Sequence, residues 1–319
     1  MMRRYAAALA CALALSVSAL TAGCGAGGGE AGAAESGELR VGYQRFASLS
    51  LVKARHAEAP GTTWSLFESG PALSEGLKAG AIDIGEVGEA PPIFAAAGKI
   101  DFKIIATSAP VPKGEAVLVK EKNGFRSFKD LKGKKVGLNK GSNVNWLLVK
   151  LLEANGMTID DIDVKYLKPA EARPAFDNDQ IDAWIIWDPY FALAETPGVK
   201  VLVDATGLAN NREYVLVSPE ALEKKPEQVR KFLRTLRETT AWGIAHPAER
   251  GALLSPELKI PLDTTLRAQA RSAQPIEPVN AAIGAEIQEI SDGFTELKLI
   301  PGKVDMKSRI DDRFTDVLE

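Results

Sequence analysis

Two short turns in the chain carry the residue types that bind small anions. Ser69-Gly70-Pro71 and Gly141-Ser142-Asn143 each place glycine beside a hydroxyl or amide side chain, directly before a predicted helix. A helix begins with free N–H groups and a partial positive charge, and both favour an anionic group. For each serine taken singly, capping of its own helix is the simpler explanation. Several such turns meeting at one crevice predict a binding site for a small anion.

The composition excludes several other kinds of chemistry. The 319 residues carry a net charge of −3, so no basic excess is available to bind nucleic acid. The chain has only two histidines, His56 and His246, and two cysteines, Cys11 and Cys24, so we expect no metal site. Gly-x-Ser-x-Gly, His-Glu-x-x-His and a Cys-His pair are all absent from the sequence. We therefore predict a binding protein rather than an enzyme, without cofactors.

The beginning of the chain is typical of an export signal. Two arginines precede a long apolar run, and small residues then lead to Cys24. We predict a signal peptide over residues 1–23 and a lipid on Cys24, which would anchor the protein at the outer face of the cytoplasmic membrane or in the periplasm. A cleaved signal with an incidental cysteine is the alternative, because Thr21 stands where leucine is more common. Residues 24–37 are rich in Gly, Ala and Glu and predict a flexible tether.

Beyond the tether, runs typical of strands alternate with runs typical of helices. Leu39–Tyr43 and Ala183–Trp187 are short and apolar, as buried strands are, whereas Val144–Asn155 repeats its leucines with helical spacing. The alternation predicts an α/β fold with largely parallel sheets. From Pro226 to about Leu299 the pattern is mostly helical, so we expect this segment to pack around the sheets.

A repeated pattern predicts two lobes of like topology. Ile82-Asp83 is followed by Glu89 six residues after the aspartate, and Ile181-Asp182 is followed in the same way by Asp188. Each copy then continues with proline, whose missing N–H costs nothing in the first turn of a helix. Ligands of open α/β sheets bind beyond the carboxyl ends of the strands. The turns of both copies therefore belong to the predicted site.

Longer motifs, in the same order along the chain, resemble a known family. They are Tyr43-Gln44, Ser69-Gly70-Pro71, Gly88-Glu89-Ala90-Pro91-Pro92-Ile93-Phe94, Asp130-Leu131-Lys132-Gly133-Lys134-Lys135-Val136, Lys140-Gly141-Ser142, Asp182-Ala183-Trp184-Ile185-Ile186-Trp187-Asp188-Pro189-Tyr190 and Ile276-Glu277-Pro278-Val279. From about Glu38 to about Arg309 the chain resembles the aliphatic sulfonate-binding proteins of ABC-type importers. These belong to the wider nitrate, sulfonate and taurine group of solute-binding proteins.

The resemblance implies a two-lobed periplasmic-binding-protein fold of the class with two crossovers. Each lobe would be a mixed, mostly parallel sheet flanked by helices. Lobe 1 would take residues 38–110 and 212–319, and lobe 2 residues 111–211. The ligand contacts that the resemblance implies are Gln44, Ser69, Gly70, Gly88, Glu89, Gly141, Ser142, Trp187, Asp188 and Arg271.

The same resemblance implies capture of an aliphatic sulfonate for sulfur metabolism and its delivery, by a monomer, to an ABC permease with a cytosolic ATPase. The chain departs from the family's usual residues at Glu86 and Glu89. Two carboxylates near an anion site favour a ligand that also carries an amine, such as taurine or another zwitterionic sulfonate. Another small solute stays open as an alternative: nitrate, a pyrimidine precursor or an aromatic carboxylate. A more remote alternative is an enzyme like those that make the thiamine pyrimidine on this fold.

Overall fold

The computed structural model describes residues 37–45 and 47–319. The signal peptide, Cys24 and nearly all of the tether that the sequence predicts lie outside the described residues. Within the described part of the chain, no helix has the length and apolar character needed to cross a membrane.

The first third of the described chain alternates strands with helices, as the sequence predicts. Its elements are β1 (Leu39–Gln44), α1 (Ser48–Ala54), β2 (Thr62–Phe67), α2 (Gly70–Lys78), β3 (Ile84–Gly88), α3 (Pro91–Ala97) and β4 (Lys103–Ser108). Helices α2 and α3 both have proline in their first turn, where the missing N–H breaks no hydrogen bond.

The middle of the chain repeats this alternation. Its elements are β5 (Glu115–Lys120), β6 (Lys135–Leu138), α4 (Val144–Asn155), β7 (Asp163–Tyr166), α5 (Pro169–Asp177), β8 (Ala183–Trp187), α6 (Tyr190–Ala194) and β9 (Val199–Asp204). Helix α4 ends at Gly156, whose left-handed backbone (φ 63°) closes the helix without a Cβ clash.

The last third is mostly helical. Its elements are β10 (Glu213–Val217), α7 (Pro219–Lys224), α8 (Pro226–Ala245), α9 (Pro247–Leu258), α10 (Leu262–Ser272), β11 (Ile276–Glu277), α11 (Ala281–Glu296) and α12 (Thr315–Leu318). The sequence predicted helix through most of this region and missed β11. This strand has only two residues, so no local pattern identifies it. It is defined by its pairing with β4, in which Ile276 lies opposite Ser108.

The strands form two sheets with the same topology. The first sheet has the order β11-β4-β10-β3-β1-β2 and the second the order β7-β6-β8-β5-β9. In the first sheet β1 to β4 run in one direction, opposed by β10 and β11; in the second only β5 opposes the rest. The prediction of mixed, mostly parallel sheets is confirmed. The chain crosses from β4 of the first sheet to β5 of the second, and it returns from β9 of the second sheet to β10 of the first.

The repeated Ile-Asp pattern has the same structural role in both sheets. The Asp83 carboxylate accepts a hydrogen bond from the backbone N–H of Arg40 in β1 (2.9 Å), and the Asp182 carboxylate accepts one from the N–H of Lys135 in β6 (2.9 Å). Both aspartates also donate their own N–H to the carbonyl of that same residue. Each aspartate thus fastens the turn before β3 or β8 to the start of the neighbouring strand.

The helical tail covers the first sheet. Phe232, Leu233 and Leu236 of α8 are buried in one apolar cluster with Leu39 and Val41 of β1. Their spacing of one, three and four residues places them on one face of the helix. This packing places α8 against one face of the first sheet.

Candidate functional site

A cavity lies where strands of both sheets end. It has a volume of about 540 Å³ and is called the main cavity here. Its lining residues are Gln44, Arg45, Ala47, Leu66, Phe67, Glu68, Glu213, Trp187, Asp188, Tyr190, Leu193, Leu258, Lys259 and Ile260. The six residues from Gln44 to Glu68 end or follow β1 and β2, and Glu213 begins β10. The four residues from Trp187 to Leu193 end or follow β8, and the three residues from Leu258 to Ile260 come from the helical tail. The two sheets and the tail all contribute to its wall.

Three of the ten residues implied as ligand contacts line this cavity: Gln44, Trp187 and Asp188. Gln44 ends β1, and its side-chain amide donates to the carbonyl of Glu86 at 3.0 Å, which fixes its orientation. Trp187 ends β8, and its ring meets that of Tyr190 edge to face at 5.9 Å. The cavity therefore has a polar end and an aromatic wall, the usual composition of a small-molecule site.

Five further residues of that set lie in turns where the two halves of the fold contact each other. They are Ser69, Gly70, Gly88, Gly141 and Ser142. A Cβ atom on Gly141 would lie 3.6 Å from Phe94 and 3.7 Å from Pro71, and one on Gly88 would lie 3.1 Å from Asn143. The turn with Ser69-Gly70 and the turn with Gly141-Ser142 thus face each other without a gap. The Ser142 hydroxyl donates to the carbonyl of Asn139 at 2.7 Å. None of the five is among the lining residues of the main cavity.

Arg271, another of the implied contacts, is already paired with carboxylates. Its guanidinium donates to both oxygens of Asp188 (2.7 and 3.0 Å) and to both oxygens of Glu195 (2.9 and 3.0 Å). It also stacks on Phe191, 3.8 Å from the ring centre. Burial raises the pKa of Asp188 to about 6, although Arg271 opposes that rise. The pair joins the helical tail to the end of β8.

The remaining implied contact, Glu89, lies away from the main cavity. It lines a separate space of about 290 Å³ with Trp146 and Glu286 and is fully buried. Glu86 is also fully buried, and its carboxylate accepts the N–H of Leu49 at 3.2 Å. Burial raises the pKa of Glu86 to about 7 and that of Glu89 to about 8. Neither carboxylate is among the lining residues of the main cavity, and their contact with the ligand stays a prediction.

Glu213 is the carboxylate at the cavity that the sequence reasoning missed. It begins β10 opposite Gly88, which has no side chain to crowd it. One carboxylate oxygen is buried without a hydrogen-bond partner, and burial, with the nearby Glu86 and Glu89, raises its pKa well above the usual range. Parallel strands bring the residues after their last position to this edge of the sheet. An antiparallel strand instead brings its first residue to this edge. The position of Glu213 as the first residue of β10 is therefore the feature that could have identified it.

The main cavity has a smaller inner extension of about 60 Å³. Both spaces share Ala47, Trp187, Asp188 and Glu213, and the extension reaches Ser48, Ser272 and Gln274. Neither holds a cluster of carboxylates, histidines or cysteines suited to a metal: no such group of three occurs in the described part of the chain. The polar groups present suit a small organic solute.

Two mixed sheets of the same topology, joined by two crossovers and enclosing a cavity at their strand ends, define the periplasmic-binding-protein class of fold. The comparison with solved structures agrees. The alkanesulfonate-binding protein SsuA from Xanthomonas axonopodis pv. citri, solved with MOPS bound, superposes with a TM-score of 0.83 at 32% identity, over 88% of this chain and 99% of that one. The chain belongs to the family described as NMT1/THI5 like, whose model matches residues 75–250.

Two curated relatives cover most of the chain. A protein of Escherichia coli (strain K12), named as an aliphatic sulfonates-binding protein, is 36% identical over 281 residues, which is 85% of this chain and 88% of that protein. A protein of Bacillus subtilis (strain 168) with the same name is 33% identical over 292 residues, 87% of this chain and 86% of that protein. Both names describe binding proteins rather than enzymes.

Proposed function

We propose that this protein is an extracytoplasmic solute-binding protein that holds an aliphatic sulfonate between two lobes and delivers it, unaltered, to an ABC-type permease. The main cavity carries the proposal. It lies between the strand ends of two sheets, it has polar and aromatic walls, and the relatives that cover most of the chain are named for sulfonate binding. Residues 38–110 with 212–319 would form one lobe and residues 111–211 the other.

The two crossovers are the proposed hinge. They run side by side, since the N–H of Val111 donates to the carbonyl of Asn210 (2.8 Å) and the Asn211 amide donates to the carbonyl of Val111 (3.0 Å). Contacts across the lobes, such as the Lys168–Glu68 ion pair at 2.8 Å, would form on closure. A ligand favours the closed form only through contacts that it makes with both lobes at once.

The cargo proposed here carries a cationic nitrogen as well as the sulfonate. Glu213 and Glu68 line the main cavity, and Glu213 has no cation paired with it among the described residues. Burial disfavours the charged form of Glu213, and an ammonium group beside it would favour that form again, whereas a purely anionic group would disfavour it further. Gln44, Trp187 and Asp188 would contact the same ligand. Nitrate, a pyrimidine precursor or an aromatic carboxylate is the alternative cargo.

A thermal-shift panel tests both parts of the proposal. A ligand present at a hundred times its Kd should stabilise the protein by about 2.7 kcal/mol. Propanesulfonate and taurine form the matched pair, because they have similar size and differ chiefly in the ammonium group. We expect both to bind and taurine to bind more tightly. Sulfate and nitrate complete the panel, and a shift with nitrate alone would overturn the sulfonate assignment.

Glu213→Gln separates the ammonium contact from general damage to the site. The change keeps the side chain's size and removes its ability to ionise beside an ammonium group, so the preference for taurine over propanesulfonate should disappear while propanesulfonate still binds. Glu289→Gln is the control, because Glu289 is exposed and lies outside the main cavity. A taurine preference that survives in Glu213→Gln would exclude Glu213 as the ammonium contact.

The location and anchoring remain part of the proposal. A signal peptide over residues 1–23, a lipid on Cys24 and a tether to residue 37 would leave the protein at the outer face of the cytoplasmic membrane or in the periplasm, as a monomer beside its permease. Mass spectrometry of the mature protein from membranes tests this directly. A diacylglyceryl cysteine at residue 24 is expected, and Cys24→Ala should release the protein from the membrane fraction.

A further inference from the structure

Arg250 is a buried cation without a carboxylate partner among the described residues. It lies in α9, and only 4% of its surface is exposed. Its Nη2 donates to the carbonyl of Gln269 at 2.6 Å, whereas its Nε has no hydrogen-bond partner. Burial lowers the pKa of its guanidinium, and no acidic group in the described part of the chain opposes that effect. Buried charges in proteins are normally paired, so we expect an anion to bind beside this arginine.

The side chain of Arg250 borders a small space with polar and apolar lining residues, including Leu254 and Leu258, called the Arg250 chamber here. The chamber has a volume of about 30 Å³, and Ser48, Thr240, Gln269, Ser272 and Gln274 contribute to its lining. The Thr240 and Ser272 hydroxyls already donate to backbone carbonyls of their own helices. The donors left for a ligand are therefore the guanidinium and the side-chain amides of Gln269 and Gln274.

The chamber adjoins the proposed ligand site. Ala47, Ser48, Ser272 and Gln274 line both the chamber and the inner extension of the main cavity. The extension in turn shares Trp187, Asp188 and Glu213 with the main cavity. An elongated ligand can therefore lie with one end against Glu213 and Trp187 and the other toward Arg250.

We propose that the Arg250 chamber receives the anionic end of the cargo, with sulfonate oxygens accepting hydrogen bonds from the Arg250 guanidinium and the Gln274 amide. The inference rests on the proposed function and adds the residue that recognises the anion. Arg271 does not serve this purpose, because its donors are used by Asp188 and Glu195. A guanidinium fork suits a trigonal set of oxygens, whereas a lysine in the same place donates from a single point.

Carbonyl groups near the end of α10 offer a purely structural explanation. They carry partial negative charge and already accept one hydrogen bond from Arg250. The two explanations differ in what Arg250→Met should do. If the arginine only supports the fold, its loss lowers the melting temperature and leaves sulfonate affinity unchanged. If it binds the anion, the free protein keeps or gains stability, since a buried charge is removed, and affinity falls.

Calorimetric titration with propanesulfonate, which has no ammonium group, tests the proposal. We expect Arg250→Met to weaken binding by about 100-fold and Arg250→Lys to weaken it less. Arg309→Met is the matched control: Arg309 is also partly buried with a lowered pKa, but it lies at a different surface depression. Wild-type affinity in Arg250→Met would overturn the inference. Failure of the wild-type protein to bind any sulfonate would instead overturn the proposed function.

Two further measurements complete the test. Should Arg250→Met not fold, Gln274→Ala replaces it, with an expected loss of about tenfold in propanesulfonate affinity; unchanged affinity there would also count against the proposal. A free inorganic anion could also pair with the Arg250 guanidinium. If chloride alone raises the melting temperature of the wild-type protein but not of Arg250→Met, and propanesulfonate binds both equally, the chamber binds inorganic anions rather than the cargo.

Discussion

The Asp188 carboxylate accepts two hydrogen bonds from the Arg271 guanidinium, at 2.7 Å from Nε and 3.0 Å from Nη2. Asp188 follows β8 of the second sheet, whereas Arg271 lies near the end of α10 in the helical tail. The side chains are 6% and 19% exposed, so little solvent screens the pair. One ion pair therefore connects a wall of the main cavity to a helix of the tail that packs against α9.

Replacing Asp188 with asparagine should destabilise the protein by about 2 kcal/mol, because it leaves a largely buried guanidinium with Glu195 as its remaining carboxylate partner. Urea unfolding measures the change. Glu195→Gln is the comparison and should cost less, since Glu195 is 28% exposed. Equal losses in the two variants would show that Asp188 is not the dominant partner of Arg271.

Stability should fall as the pH rises from about 5 to 8 and level off above that range. Burial raises the pKa of Glu86 to about 7 and of Glu89 to about 8, while both titrate near 4.3 in the unfolded chain. Between these pH values the folded protein holds protons that the unfolded chain has lost, and each such proton lowers the stability by up to about 1.4 kcal/mol for every unit that the pH rises.

Melting curves of Glu89→Gln against pH check this assignment. The amide cannot ionise, so the fall in stability between pH 5 and 8 should be shallower than in the wild-type protein. The exposed Glu289 serves as the control, and Glu289→Gln should retain the wild-type slope. A Glu89→Gln slope identical to that of the wild-type protein would refute the role given to Glu89.

Gly88→Val should prevent the close approach of the two halves. A Cβ atom there would already lie 3.1 Å from Asn143, and two more methyl groups have no room. Because binding is proposed to need closure, we expect propanesulfonate affinity to drop by about tenfold or more. Gly302→Val is the matched control, since nothing lies within 4 Å of a Cβ at Gly302. Affinity equal to that of the control would show that this contact does not limit closure.

Asp83→Asn should destabilise the protein more than Asp182→Asn, although the two aspartates have equivalent positions. Asp83 is 4% exposed and pairs with Lys225 (2.7 Å) and Arg40 as well as the backbone. We expect a loss of about 2 kcal/mol against about 0.5–1 kcal/mol for Asp182→Asn, measured by urea unfolding. Arg40 and Lys225 lower the pKa of Asp83 despite its burial, so its contribution disappears as the pH falls below about 4.

Local patterns predicted much of the fold because buried segments are short, apolar and bounded by turn residues. Val144–Asn155 and Ala183–Trp187 have the predicted bounds in the structure. β11 was missed because two residues carry no periodicity, and only the pairing with β4 defines the strand.

The site was less predictable than the fold. Gln44, Trp187 and Asp188 end or come directly after parallel strands, so the rule that ligands bind beyond carboxyl ends found them. Glu213 begins an antiparallel strand, and Arg250 belongs to a helix far along the chain. Placing Glu213 at the main cavity or Arg250 at its own chamber requires the strand order and the helix packing, which no local window contains.

The strand order also sets when the first sheet can be completed during synthesis. β4 ends at Ser108, yet its strand neighbours among the described residues are β10 and β11, which begin at Glu213 and Ile276. A growing chain must therefore carry β4 with both edges open until more than a hundred further residues have emerged. Such exposed edges invite pairing with other chains, so we expect a fragment ending before residue 213 to aggregate and to depend on chaperones that the full-length chain does not need.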